Sequence, residues 1–189
     1  LKKGGDGSGN FSHAGRVGLV GGSRPNWYTT PEIEVKIDKQ LDWLSDQKYE
    51  WAVIIDKDGE ITHLETKGHE GLAPHVAAKI YRSKIFLHNH PGGGPPSVED
   101  FQTFVKSKAS QERVLTPGFM YVFEKDNILP TRIQKEMLDK FQPLYIESSK
   151  KYDKLPAEIK YAKTMDDVYS TLSKEYQFKY TKTIRTMRE

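Results

Sequence analysis

The chain has 189 residues, enough for one ordinary domain with appendages and short for two. Hydrophobic residues make up 36% of it and the mean hydropathy is −0.70, low for a chain that is packed core from end to end. The net charge of +3 does not argue for a nucleic-acid partner, and the absence of cysteine excludes disulfides, thiolate-ligated zinc and a thiol nucleophile.

Residues 1–26 hold Gly4, Gly5, Gly7, Gly9, Gly15, Gly18, Gly21 and Gly22 among serines, asparagines and arginines. Such a stretch buries too little apolar surface to offset its ordering entropy and is expected to be a flexible linker. It lacks the spacing of a phosphate-binding loop. The chain starts at Leu1 without an initiator Met, as expected of a piece trimmed or processed from something longer.

Thr30-Pro31-Glu32 supplies a helix cap, a first-turn proline and a first-turn acid, and Ile33, Ile37, Leu41 and Leu44 recur at helical spacing. A helix is expected over 31–46. Trp51–Ile55 is a short β-rich run, Asp56-Lys57-Asp58-Gly59 a turn, and Ile61–Leu64 the start of a returning strand. Residues 73–81 have the pattern of a short helix and 84–89 that of a strand. Ser97 opens a helix to about Lys108, and strands follow at 113–116 and 120–123, broken by Pro117-Gly118.

Beyond Pro130, Ile133, Met137, Leu138, Phe141, Leu144 and Tyr145 mark a long amphipathic helix. Met165, Val168, Tyr169 and Leu172 mark another after Pro156. The expected organisation is a linker (1–26), an α/β domain (27–130) and a helical extension (131–189), the last packed on the core or serving as an arm for a partner or for self-association. The order of elements in the middle segment implies a three-layer mixed α/β/α sheet.

The chemistry concentrates in Ile85-Phe86-Leu87-His88-Asn89-His90-Pro91, followed by a Gly/Pro loop and Ser97-Val98-Glu99-Asp100. Residues i and i+2 of a strand share a face, so His88 and His90 can present both imidazoles to one point. Pro91 ends the strand. Two imidazoles and the carboxylate of Asp100 make a three-ligand zinc site with a fourth position open, the pattern of a catalytic metal. Ser97 and Asp100 also read simply as a helix N-cap and its reciprocal partner, and the two roles are compatible.

His-Asn-His-Pro, a Gly/Pro loop and Ser-x-x-Asp together resemble the signature of the JAB/MPN metalloenzymes (the JAMM family), closest in look to bacterial RadC-like and phage-associated members. The resemblance spans roughly residues 48–125. It implies a cytidine-deaminase-like fold, a zinc ion (Zn2+) on His88, His90 and Asp100, and Ser97 helping to stabilise an oxyanion. It also implies a glutamate general base at the start of the first core strand, which here matches Glu50. The loop from His90 to Ser97 is one residue shorter than the family's common pattern, a change that costs little closure entropy. The implied activity is hydrolysis of peptide or isopeptide bonds in a protein or peptide substrate.

The glycine-rich linker resembles segments of tailed-phage head-morphogenesis proteins, which with the Met-less start suggests self-processing of a longer polypeptide. Against the enzyme stands a non-catalytic scaffold on the same fold, as in a phage particle or a toxin carrier, or a RadC-like protein tied to DNA. Glu60, Glu65 and Glu70 compete with Glu50 for the base. His69, Glu70 and His75 admit a second metal site, though solvated or helix-end side chains are the simpler reading. Trp27, Trp43 and Trp51 are expected to pack in the core, and Lys150, Lys151, Lys154, Lys160 and Lys163 to form a solvated face. No apolar run approaches the roughly 20 residues needed to span a bilayer, so a soluble cytoplasmic protein is expected.

Overall fold

The computed structural model describes residues 29–56, 58–68, 85–176 and 178–185. The expected linker, the short helix over 73–81, Trp27, His69, Glu70 and His75 lie outside the described residues.

The first helix, α1 (Pro31–Ser45), starts as its sequence dictates. The Thr30 side chain accepts from the backbone N–H of Ile33, Pro31 sits in the first turn, and Glu32 and Glu34 face the positive end of the helix. Ile37, Leu41 and Leu44 form its buried stripe. Strands β1 (Glu50–Ile55) and β2 (Ile61–Gly68) make the expected antiparallel hairpin. Asp56 shapes its turn by accepting from the N–H groups of Asp58 and Glu60, and Gly59 takes the positive φ of 79° that closes it.

Strand β3 (Ile85–Asn89) is buried along its whole length and lies antiparallel to β1. Helix α2 (Val98–Lys106) then carries the chain to β4 (Gln111–Leu115), which runs parallel to β3, and β5 (Phe119–Glu124) returns antiparallel. Helices α3 (Thr131–Lys151) and α4 (Ala157–Tyr176) follow.

The stretch read as a helical extension does not stay helical. After α4 the chain forms β6 (Lys179–Ile184), which pairs antiparallel with the whole of β5 and completes a six-stranded mixed sheet of order β2-β1-β3-β4-β5-β6. The physical cause is visible in Phe178-Lys179-Tyr180-Thr181-Lys182-Thr183: β-branched and aromatic residues alternate with polar ones, and Phe178 and Tyr180 bury against the sheet's helical cover.

Helices cover both faces, so the α/β class holds. On one face α1 sets Ile37, Leu41 and Leu44 against Val53, Ile55, Ile85, Leu87 and Leu115. Trp43 meets Trp51 edge-on there at 5.2 Å, and Arg113 of β4 grips both carboxylate oxygens of Glu34 at 2.7 and 2.9 Å. On the other face α2, α3 and α4 share one aromatic cluster with β5 and Phe178. Phe101 stands within ring-contact distance of Phe123, Phe141, Tyr169 and Phe178. Residues on both sides of position 130 therefore pack into a single core. Among the described residues, no helix is long and apolar enough to cross a membrane.

Candidate metal centre

The end of β3 does what its alternation requires. Ile85 and Leu87 enter the α1-facing core, which turns Phe86 and His88 to the α2–α4 face. His88 is fully buried, and Phe86 stacks on its ring at 4.9 Å. The backbone N–H of His90 donates to the carbonyl of Leu115 at 2.7 Å, extending the parallel ladder one residue past the strand. His90 thus stays in register with His88, their rings 5.0 Å apart. The chain then turns sharply, with the Gly93 N–H on the His90 carbonyl and Gly93 at a φ of 83°.

His90 Nδ1 lies 3.1 Å from the Gly94 carbonyl. A carbonyl only accepts, so Nδ1 carries the proton of that bond and Nε2 faces the site.

Helix α2 begins beside the two rings. The Ser97 hydroxyl accepts from the Asp100 N–H at 3.1 Å, and Asp100 Oδ2 accepts from the Ser97 N–H at 2.6 Å, a reciprocal cap. The same carboxylate reaches both histidines: Oδ1 lies 3.4 Å from His88 Nε2 and Oδ2 lies 3.3 Å from His90 Nε2. Burial alone would raise the pKa of Asp100. The adjoining imidazoles of His88 and His90 outweigh it and hold the carboxyl well below the ordinary carboxylate range. For His90 burial acts downward, and Asp100, Glu50 and the Gly94 carbonyl together raise the ring above its usual value.

Glu50 opens β1 directly across from this cluster. One ligand atom each of Glu50, His88 and His90 lie within 4.8 Å of one another, and the same holds for His88, Asp100 and Glu112. Of the competing glutamates, Glu60 sits at the exposed hairpin turn paired with Lys36. Glu70 and the side chain of Glu65 lie outside the described residues. The structure therefore brings Glu50, His88, His90, Ser97 and Asp100 to one place at the sheet's end. The side chains of His90 and Asp100 remain 16% and 17% exposed, so the cluster is open to solvent.

Four residues at this centre escape a sequence reading. Glu112 of β4 is buried, with Oε1 3.8 Å from His88 Nδ1 and neither carboxylate oxygen hydrogen-bonded. Burial above all, together with the charge of Asp100, pushes its pKa well above the usual range, against the pull of Lys125. Lys125 is in turn brought down to about 7 by burial, against the opposing effect of Glu112, and bonds the carbonyls of Phe104 and Ser107 at the end of α2. Glu112 carries no local signal in the sequence, where it stands between Gln111 and Arg113 just ahead of the strand expected at 113–116.

Tyr169 of α4 places its hydroxyl 2.8 Å from the Pro96 carbonyl and 2.9 Å from that of Ser97, tying the site loop to the C-terminal helices. Asn89, between the histidines, bonds the backbone on either side of Glu50, at Tyr49 and Trp51.

No protein-family model, curated protein or solved structure matches the chain.

Proposed function

We propose that this chain is a zinc-dependent hydrolase of peptide or isopeptide bonds with a JAMM-like arrangement. The observation that carries this reading is the imidazole of His88, buried with both ring nitrogens lacking a hydrogen-bond partner while Asp100, His90 and Glu50 gather around it. An unpaired buried polar group costs about 1–3 kcal/mol, and a ligand that needs that nitrogen accounts for the expense. Two imidazoles and one carboxylate are a donor set that suits zinc and leaves it a coordination position.

His88, His90 and Asp100 would hold the ion. Bound there, it supplies Lewis acidity and lowers the pKa of water toward about 7. The remaining work falls to the chain's own groups. Glu50 takes the proton of the attacking water and returns it to the leaving amine. The Ser97 hydroxyl accepts from the Asp100 N–H and so keeps its own proton to donate to the developing oxyanion, a contribution of roughly 3–4 kcal/mol per good donor. The Gly94 carbonyl keeps His90 in the tautomer that turns Nε2 toward Asp100.

Metal analysis of protein purified without chelator tests this reading. About one zinc per chain is expected, lost in His88→Ala and His90→Ala. Glu50→Gln should keep the zinc and lose cleavage of peptide and isopeptide substrates. Zinc that survives removal of both histidines would overturn the ligand assignment.

A further inference from the structure

The antiparallel ladder between β1 and β3 ends at the pair Ala52–His88. Two residues further along β1, at Glu50, the ladder has no pair, and the N–H of His90 goes to Leu115 of β4. On its other side β1 shifts register against β2 between Glu50 and Trp51. The candidate base therefore lies where β1 has lost one backbone partner and is irregular against the other. A side chain at such a point is poorly aimed unless something else fixes its backbone.

The Asn89 amide supplies that fixation. Its Oδ1 accepts from the Trp51 N–H at 2.7 Å and its Nδ2 donates to the Tyr49 carbonyl at 3.0 Å. The orientation of the amide is dictated by its partners, since a backbone N–H only donates and a carbonyl only accepts. These two groups belong to the two peptide planes that flank Glu50. The second plane is held from its other end as well, the Glu50 carbonyl accepting from the Thr66 hydroxyl at 2.7 Å. With both planes pinned, φ and ψ of Glu50 are set, and so is the direction of its Cα–Cβ bond. Asn89 is itself buried at 3% exposure, so little water competes for its bonds.

We propose that Asn89 is the positioning residue for Glu50: the residue between the two histidines clamps the backbone on either side of the base, so one strand end sets both the ligand pair and the base that faces it. Asparagine suits the task because its amide has the donor and acceptor of a peptide group on a short stem. Serine or threonine offers a single oxygen, and aspartate lacks the donor. This inference rests on the reading of Glu50 as base, and its test is arranged to separate the two.

In the metal-free protein, nuclear Overhauser contacts from the Glu50 side chain to the rings of His88 and His90 read the aim of Glu50 without any activity. Hydrogen exchange of the Trp51 amide reads the clamp. Asn89→Ala should lose the contacts and speed exchange at Trp51 by at least about tenfold, the effect of losing roughly 1.4 kcal/mol of local protection. Asn89→Asp, nearly isosteric and the safer folder, should keep Trp51 protected and weaken the contacts only in part.

In the zinc-loaded enzyme, Asn89→Ala should lower kcat by up to about 10²-fold with KM and zinc content unchanged. In a Glu50→Gln background the same change should add almost nothing. Undiminished Glu50–histidine contacts in a folded Asn89→Ala protein would overturn the proposal, as would fully additive losses of kcat. If the wild type neither holds zinc nor cleaves, the hydrolase reading falls, while the contacts and the Trp51 exchange still decide whether Asn89 aims Glu50.

Discussion

The two faces of the sheet are built on opposite principles. The buried core under α1 is aliphatic, formed by Ile37, Leu41, Leu44, Val53, Ile55, Ile85, Leu87 and Leu115 with Trp43 and Trp51 only partly buried against it, and its buried charge, Arg113, is matched bidentately by Glu34. The face under α2–α4 is aromatic and encloses a polar island in which His88 and Glu112 are buried without hydrogen bonds. A face that only has to be stable satisfies its polar groups, whereas unsatisfied buried groups are retained where they serve something else. The contrast within the single strand β3 is sharpest, since Leu87 and His88 are neighbours serving opposite faces.

Four changes test that contrast. Glu50→Gln, on the polar side, should reduce cleavage by about 10²–10⁴-fold in a turnover assay while zinc content and melting temperature stay near wild type. Leu87→Ala, on the aliphatic side, should do the reverse, costing about 2–5 kcal/mol in denaturant unfolding, with zinc affinity preserved in the protein that remains folded. If Leu87→Ala abolished zinc binding without destabilising the fold, the division of labour between faces would be wrong.

Glu112→Gln is expected to split the two properties within one residue. Its carboxyl group faces the outer nitrogen of His88, so replacing it should weaken zinc binding about 10–100-fold by competition titration. Metal-free stability should move the other way. The pKa of Glu112 is raised by folding, so as pH climbs from about 4.5 the unfolded chain releases this proton before the folded one does. Glu112 accordingly contributes a loss of stability with rising pH over that window, and Glu112→Gln should lack that contribution. Unfolding curves of both proteins at several pH values check the sign.

The smallest effect is expected from Tyr169→Phe, which removes one hydroxyl over the site loop. A loss of about 1 kcal/mol in stability and a modest fall in kcat should accompany it. A fall in zinc affinity as large as that of Glu112→Gln would mean that the loop, not the strand, governs the ligands.

Local signals made much of this architecture legible. Thr30-Pro31 and Ser97-x-x-Asp100 cap helices through residues three apart, and His88 and His90 share a face through a two-residue repeat. None of this depends on knowing the rest of the chain. Asp56–Gly59 announces its hairpin for the same reason. Glu50 was reachable because it opens the first buried strand and matches the JAMM pattern, but its approach to the histidines needs β1 and β3 side by side.

What stayed hidden depends on register between distant segments. Lys179–Ile184 reads as the end of a helical tail until β5 offers it an edge, and a strand without a partner has no stability of its own. Glu112 meets His88 only because β3 and β4 run parallel with Phe86 opposite Glu112, which sets both side chains on one face. Asn89 looks like a spacer until the end of the β1–β3 ladder sets its amide against the backbone on either side of Glu50. The sequence by itself determined which residues are capable of chemistry, because that follows from side-chain type and short-range periodicity. Tertiary structure alone decided which of them are held, aimed and buried together, because backbone pairing and desolvation arise only once distant strands are packed.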